Sequence, residues 1–246
     1  MIPWIVLDTA RIPGGGELRL KQRGTEFSIM LGTNELMNSR LSGSEEALAK
    51  LACERIRGRG KPKLLIGGLG MGFTLRAALA LLGKDARVVV AELVPEVVAW
   101  ARGPMAELFA GCLDDPRVEV VEGDVGKVIR DGAGAFDAIL LDVDNGPEGL
   151  SRDANDSLYN YTGLYAAKTA LKPGGVLTVW SQGPDKAFNR RLHESGFVVD
   201  EVKVRASTKG SGARHVVWVA TNSVSPGAKG GVTSPKGSPA SKRARR

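Results

Sequence analysis

Residues 64–74 read LLIGGLGMGFT and place four glycines directly after an apolar run. The four are Gly67, Gly68, Gly70 and Gly72. Glycines between a strand and a helix let the backbone approach a ligand and turn free amide groups toward it. The stretch therefore predicts a nucleotide-binding turn, with a simple tight turn as the alternative.

Acidic residues end the next two apolar runs. Glu92 ends RVVVAE, 20 residues after Gly72, where a carboxylate can accept both ribose hydroxyls of an adenosine. Asp124 ends RVEVVEGD, where it or the adjoining backbone would meet an adenine amino group. Solvated acids at strand ends are the alternative. Together, the glycines, Glu92 and Asp124 favour an S-adenosyl ligand over NAD. The sequence has no Walker-type lysine loop, so ATP hydrolysis is not expected.

A third acidic group follows in DVDNGP, after the run FDAILL. Alkyl transfer from a sulfonium requires a neutral nucleophile that has lost its proton. Asp144 is predicted to orient and deprotonate such a nucleophile, and Asp142 to assist it or contact the donor. Asn145 cannot act as a base, but its amide can position a substrate group. A turn-forming role for Asp144 is the alternative.

Polar side chains further along predict an acceptor pocket. Tyr159 and Tyr161, in DANDSLYNY, are expected in a loop over the site, either lining that pocket or anchoring the loop. Trp180 and Gln182, at the end of the run GGVLTVWSQ, are both expected at the same sheet edge, with a core role favoured for Trp180.

Alternating short apolar runs and helical segments between Lys63 and Asn222 are typical of a buried parallel sheet. Two final runs, FVVDEVKVRA and RHVVWVATN, predict an antiparallel hairpin. Short β-like runs in residues 4–40 predict a small antiparallel element. We therefore predict an N-terminal β element over residues 1–43, a nucleoside-binding catalytic domain over 44–222 and a disordered tail over 223–246.

The net charge of +7 is concentrated in that tail, which carries six Lys or Arg and no acid. A solubilising role is favoured over nucleic-acid binding, since no aromatics interleave. Cys53 and Cys112 are isolated, which predicts neither a disulfide nor a metal site and fits a reducing cytoplasm. No apolar segment approaches the ~20 residues of a membrane span, so no membrane association is expected.

Several segments together resemble the spermidine synthase family, the polyamine aminopropyltransferases on the class I methyltransferase fold. They are LLIGGLGMG, AELVPEVV, DDPRVEVVEGD, FDAILLDVDNGPEG and ALKPGGVLTVWSQ. The resemblance covers about residues 15–222. It implies a Rossmann-like α/β fold with a mostly parallel seven-stranded sheet whose last pair is antiparallel. It also implies a β element leaning over the cleft, and a homodimer or higher oligomer.

The sequence departs from that family in three motifs. The family's GGGDGG-type loop carries an Asp that helps to hold the decarboxylated donor, and Gly70 occupies its position here. The helix after the β element reads SEEALAKLACERI and lacks the family's Tyr-His pair. In the DSSDP-like motif, Asp142 matches the first Asp and Asn145 the second, which in the family takes the proton from the amine.

The predicted function is transfer from an S-adenosyl donor to a small acceptor, which an amine would fit. Loss of the loop Asp favours methyl transfer from S-adenosylmethionine, with Leu69 and Met71 giving the donor apolar contacts. The alternatives are aminopropyl transfer from decarboxylated S-adenosylmethionine and a nucleoside-binding protein without catalysis. A nucleic-acid methyltransferase tethered by the tail is disfavoured by the nearly neutral body.

Overall fold

The computed structural model describes residues 2–143, 157–207 and 212–223. Its N-terminal part is an antiparallel sheet of four strands in the order β1-β2-β3-β4. The strands are β1 (Ile5–Arg11), β2 (Glu17–Arg23), β3 (Glu26–Leu31) and β4 (Asn34–Asn38). Leu18 and Leu20 alternate with more exposed residues along β2, so one face of the sheet is buried against the rest of the chain.

The larger sheet has seven strands in the order β10-β11-β9-β8-β5-β6-β7. Its strands are β5 (Lys63–Gly67), β6 (Arg87–Glu92), β7 (Val118–Glu122), β8 (Phe136–Leu141), β9 (Leu171–Ser181), β10 (Val198–Arg205) and β11 (Arg214–Thr221). The neighbours from β9 through β8, β5 and β6 to β7 are parallel. Strand β11 pairs antiparallel with both β9 and β10. The predicted fold class, with its closing hairpin and small N-terminal sheet, is confirmed.

Helices cover both faces of this sheet. They are α1 (Gly43–Arg55), α2 (Phe73–Leu81), α3 (Pro95–Arg102), α4 (Ala106–Phe109), α5 (Val125–Asp131), α6 (Tyr161–Ala170) and α7 (Lys186–Glu194), with a 3-10 turn at Cys112–Asp114. Along β5, Leu64 and Ile66 join one apolar cluster with α1, α2 and α3, whereas Leu65 joins a second with α5, α6 and α7. This alternation explains why β5 is a continuous apolar run.

The strand order places a switch point between β5 and β8. The chain runs outward from β5 through β6 and β7, then returns to β8 on the other side of β5. Open α/β sheets bind ligands at such a point, outside the carboxyl ends of the strands. The glycine turn follows β5, and Asp142 follows β8, so both lie at this edge.

Asp137 near the start of β8 is a buried ionic anchor at the amino end of the strand, away from that edge. Only 3% exposed, it accepts hydrogen bonds from the Lys63 amide at 2.8 Å, Arg59 Nη1 at 2.9 Å and Lys172 Nζ at 2.7 Å. Burial alone would raise its pKa, but these three donors, Lys172 first, hold the pKa below its ordinary value of 3.8.

We expect Asp137→Asn to lower the free energy of unfolding by about 2 kcal/mol near neutral pH, because charged donors lose an ionised partner. A carboxylate with a lowered native pKa stabilises the protein above its ordinary pKa, and this is lost as the pH falls toward the native value. Urea unfolding at several pH values should therefore show a gap between variant and parent that narrows below about pH 4. Asp131→Asn, which removes an exposed ion pair with Lys127, is the control. A gap that stays constant with pH would contradict this assignment.

Candidate active site

A cavity lies between the small sheet and the switch point of the large one. Four carboxylate residues, Glu45, Glu92, Asp124 and Asp142, line it. The remaining lining residues are glycines or carry apolar or aromatic side chains: Ile12, Leu18, Ile29, Leu36, Met37, Gly68, Gly70, Ala91, Leu93, Val94, Val97, Gly123, Val125, Val143 and Trp180. Within the described part of the chain, the lining therefore combines negative charge with apolar surface and contains no Lys or Arg.

The turn after β5 requires glycine because two chain segments nearly touch. Gly68 adopts a φ of +89°, and a Cβ atom there would lie 2.4 Å from the carbonyl oxygen of Asp142. The Gly68 amide donates to the carbonyl of Ala91 at 2.9 Å, and the Asp142 amide donates to the carbonyl of Gly67 at 3.0 Å. The turn is thus held to both neighbouring strands. A side chain at Gly68 would push Asp142 away.

The space beside Gly70 is filled by Met37 from β4. A Cβ atom on Gly70 would lie 2.7 Å from Met37 Cε and 2.9 Å from its sulfur. The expectation that Leu69 and Met71 contact the donor is not met, because both side chains pack in the buried core beneath the turn. The apolar surface at this point comes instead from the small sheet.

Glu92 connects the glycine turn to the loop after β6. Its Oε2 accepts the Leu69 amide at 2.9 Å, and its Oε1 accepts the Val94 amide at 2.9 Å. Burial raises the pKa of Glu92, while these backbone donors oppose the rise. The backbone amides of Gly70 and Leu93 also lie close enough to lower its pKa, so the carboxylate orders both loops at the cavity wall.

Asp124 caps α5 at the rim of the cavity. Its Oδ1 accepts the Gly126 amide at 2.8 Å, which is the usual pattern for an aspartate at a helix N-cap. Arg130 lies 3.4 Å from the other oxygen. The predicted residue is therefore at the cavity, although its described contacts are those of a helix cap.

Asp142, directly after β8, is a half-buried carboxylate of the cavity wall. Its Oδ2 accepts a hydrogen bond from Thr74 Oγ1 at 2.6 Å. Burial, then the nearby Glu45 carboxylate, raises the pKa of Asp142 to about 7, against the opposing effect of Thr74. Burial also raises the pKa of Glu45. The two acids therefore resist being ionised together.

The structure does not bring the three predicted acceptor-side residues to the described cavity. The Tyr159 side chain is buried, with its ring edge-on to Phe188 at 5.7 Å between centroids. Tyr161 is 51% exposed and its hydroxyl donates to Glu194. Gln182 is exposed and lies outside the lining. Each is placed by its own element, because Tyr159 faces the second apolar cluster and Tyr161 begins α6 on the outer side.

Asp144 and Asn145 lie outside the described residues. The sequence reasoning missed Thr74 and Met37. Trp180, expected at the sheet edge with a core role favoured, is half-buried, packs against the first apolar cluster and lines the cavity. A hydroxyl at the start of α2 was the available signal for Thr74. Nothing local marks Met37, whose position depends on how the small sheet packs.

No group of three His, Cys, Asp or Glu residues suited to a metal ion occurs in the described ranges. No helix there is long and apolar enough to cross a membrane.

We expect Gly68→Ala to destabilise the protein by several kcal/mol, since it adds a clash with a backbone carbonyl to the strain of a positive φ. Gly32→Ala is the matched control, because Gly32 has a φ of +58° with open space around it and should lose only about 1 kcal/mol. Denaturant unfolding of both variants measures the difference. Equal losses would show that the close approach to Asp142 carries no energetic weight.

The described geometry agrees with the comparisons with known proteins. The family model for the spermine/spermidine synthase domain matches residues 43–203. A polyamine aminopropyltransferase of Mycobacterium tuberculosis is 34% identical over 162 residues, which cover 61% of this chain and 30% of that protein. A polyamine aminopropyltransferase from Nitrosomonas europaea is 36% identical over 121 residues, which cover 49% of this chain and 35% of that protein. The chain thus spans about a third of the length of these relatives.

Solved structures agree on the fold. The spermidine synthase of Thermotoga maritima superimposes with a TM-score of 0.71 at 20% identity, covering 90% of this chain and 74% of that one. A spermidine synthase in complex with the transition-state analogue AdoDATO gives a TM-score of 0.72 at 21% identity, covering 90% and 75%. At such identities the likeness concerns the fold. With the family model matching well over half of its residues, the chain belongs to the spermine/spermidine synthase family.

Proposed function

We propose that this protein transfers an aminopropyl group from decarboxylated S-adenosylmethionine to a small amine. The observation that carries the proposal is the charge of the cavity, whose described lining has four carboxylates and no Lys or Arg. The decarboxylated donor ends in an ammonium group, which carboxylates attract. S-adenosylmethionine carries a carboxylate as well, for which this lining offers no cation.

Methyl transfer, predicted from the missing loop Asp at Gly70, has no support from the comparisons. The polyamine aminopropyltransferases that resemble this chain support the alternative. The argument from the loop also loses force structurally, because Glu45 and Asp142 line the same cavity as Gly70. Loss of one acid from the turn therefore leaves the cavity negatively charged.

The nucleoside would bind along the carboxyl ends of β5, β6 and β7. Glu92 holds its carboxylate in the lining at the end of β6, where an acid suits a pair of ribose hydroxyls. Asp124 or the backbone beside it would meet the adenine. The turn with Gly68 and Gly70 would lie against the sulfonium end, where a small backbone permits close approach.

The chemical step is a direct displacement. The acceptor ammonium first loses one proton, and its nitrogen lone pair then attacks the propyl carbon bonded to sulfur. A C–N bond forms, and the C–S bond breaks with its electron pair moving to sulfur, which leaves neutral methylthioadenosine and a new ammonium. Asp144 is proposed to take the proton, with Asn145 positioning the acceptor and Asp142 contacting the donor. No metal is required.

The purified protein should convert decarboxylated S-adenosylmethionine and 1,4-diaminobutane to an aminopropylated amine and an equal amount of methylthioadenosine, followed by mass spectrometry. S-adenosylmethionine should give no product with the same acceptor, because its carboxylate meets a negative cavity. A methylated amine with S-adenosylhomocysteine would instead establish methyl transfer. Donor binding without any product would establish a nucleoside-binding protein.

Asp144→Asn is the informative variant in this assay. Removing the proposed base should lower the rate by about 100-fold or more while donor affinity remains. Asp115→Asn, at an acid paired with Arg117 and absent from the lining, serves as the control for the charge change. An unchanged rate in Asp144→Asn would remove that residue from the mechanism.

Glu92→Gln should weaken methylthioadenosine binding by about 10- to 100-fold, because the amide turns a donor toward groups that themselves donate. The control is Glu122→Gln, at the in-register residue of the neighbouring strand β7, whose side chain is exposed and outside the lining. Calorimetric titration measures both affinities. If Glu92→Gln bound methylthioadenosine as tightly as Glu122→Gln, Glu92 would only hold the loops in place.

A further inference from the structure

Glu45, at the start of α1, lines the cavity and is held from behind by two residues. Ser44 Oγ donates to Glu45 Oε2 at 2.7 Å, and Ser44 itself is 1% exposed. His215 Nδ1, from β11, lies 3.0 Å from the same Ser44 oxygen. Because the hydroxyl hydrogen is used toward Glu45, Nδ1 is the donor to Ser44. A histidine, a serine and a glutamate thus form one hydrogen-bonded row that ends at the cavity.

Thr74 joins this row to Asp142. Its hydroxyl donates to Asp142 Oδ2 at 2.6 Å and lies 3.5 Å from the carbonyl oxygen of Glu45. Trp180, also in the lining, packs edge-on against the His215 ring with centroids 4.8 Å apart. Elements α1, α2, β9 and β11 and the end of β8 therefore fix the two carboxylates at one wall.

The neighbouring acid of α1 provides an internal comparison. Ser42 Oγ donates to Glu46 Oε1 at 2.7 Å, so the helix begins with two similar Ser–Glu pairs. Glu46 is absent from the lining. Among the described hydrogen bonds, a histidine supports the Glu45 pair and not the Glu46 pair. The supported pair is the one that faces the cavity.

We propose that Glu45, positioned by Ser44 and His215, is a second donor-binding carboxylate, and that it and Asp142 bind the donor's ammonium group together and release a proton as they do so. This rests on the proposed function, since it names the partner of the aminopropyl end. The turn itself offers that ammonium no carboxylate, because position 70 is a glycine. Met37 fills the space beside it.

The proton release follows from the charges around the pair. Glu45 faces Asp142 at the end of β8, and Glu46 adds like charge on its own helix. Ser44 lies between Glu45 and His215 on β11. Burial lowers the pKa of His215, so it brings no compensating charge near neutral pH. Two carboxylates in this environment share a proton that a bound ammonium makes unnecessary. The carboxylic acid loses that proton to the buffer, and the ligand keeps its own.

Calorimetric titrations at pH 7 in buffers of different ionisation enthalpy test this, with decarboxylated S-adenosylmethionine and methylthioadenosine as ligands. In the parent protein, only the ligand with the ammonium should release protons. Glu45→Gln should weaken its binding by about 10- to 100-fold and reduce the proton release. Methylthioadenosine lacks the ammonium group, so its affinity should not change.

Ser44→Ala and His215→Asn should each weaken binding of the decarboxylated donor and reduce the proton release by a few-fold, as expected of positioning residues. The matched controls Ser42→Ala, Glu46→Gln and His193→Asn should change neither. His193 is exposed on α7, and it and His215 are the two histidines of the sequence. Controls that behave like the test variants would overturn the proposal.

The two proposals fail differently. If the parent protein does not bind the decarboxylated donor, the proposed function fails. If it binds, and Glu45→Gln keeps both affinity and proton release, this inference is overturned while the function stands. If Glu45→Gln binds neither ligand, Ser44→Ala decides: a loss confined to the decarboxylated donor supports the inference, and an equal loss for both ligands overturns it.

Discussion

The close approach of two backbone segments at the switch point is the constraint on which the site depends. Gly68 and the Asp142 carbonyl meet where β5 and β8 end, at a distance that leaves no room for a side chain. That contact fixes where the glycine turn lies relative to Asp142, and Glu92 fixes the same turn relative to β6 through the Leu69 amide. Three consecutive parallel strands thereby present one surface, which separate loops could not hold as firmly.

The small sheet is as much a part of the cavity as the large one. It contributes apolar lining residues, and Met37 fills the space that Gly70 leaves open. A hydrogen bond from Trp100 Nε1 to Asp8 Oδ2, 2.7 Å long, ties β1 to α3. The sheet is therefore held over the cavity by packing and by at least one polar contact. Its apolar surface lowers the local polarity, which strengthens the interaction of any charge with the carboxylates.

Local patterns predicted the fold correctly, and they selected Glu92, Asp124 and Asp142, which the structure brings to one cavity. The roles of these acids stay predictions. Continuous apolar runs reveal a buried parallel sheet because each such strand is covered on both faces, as Leu64 and Leu65 show by facing different clusters. Glu92 could be identified from the sequence because strand ends in such a sheet converge. The direction of the side chains inside the turn could not be predicted. Glycines at positive φ redirect the chain there, and Leu69 and Met71 enter the core.

Contacts between distant segments were beyond sequence reasoning for a related reason. Ser44 and His215 are 171 positions apart and meet only because β11 inserts beside β9, next to which α1 packs. Tyr159 shows the same limit, because the sequence left pocket lining and loop anchoring open, and the structure packs the ring in the second apolar cluster with its hydroxyl 3.5 Å from the Val143 carbonyl oxygen. Periodicity reports burial of an element, whereas the direction of a single polar side chain depends on which elements pack against it.

The electrostatic environment of the cavity links these observations to chemistry. Carboxylates close together without Lys or Arg are unfavourable in a folded protein, and in the described lining burial and the nearby Glu45 raise the pKa of Asp142 to about 7. A cationic ligand provides better compensation than a proton because it also brings apolar carbon to the rest of the lining. Four carboxylates with no Lys or Arg in the described lining attract a cation and repel an anion. That attraction depends on the total charge of the wall, so a carboxylate on α1 contributes to it as one on the turn would.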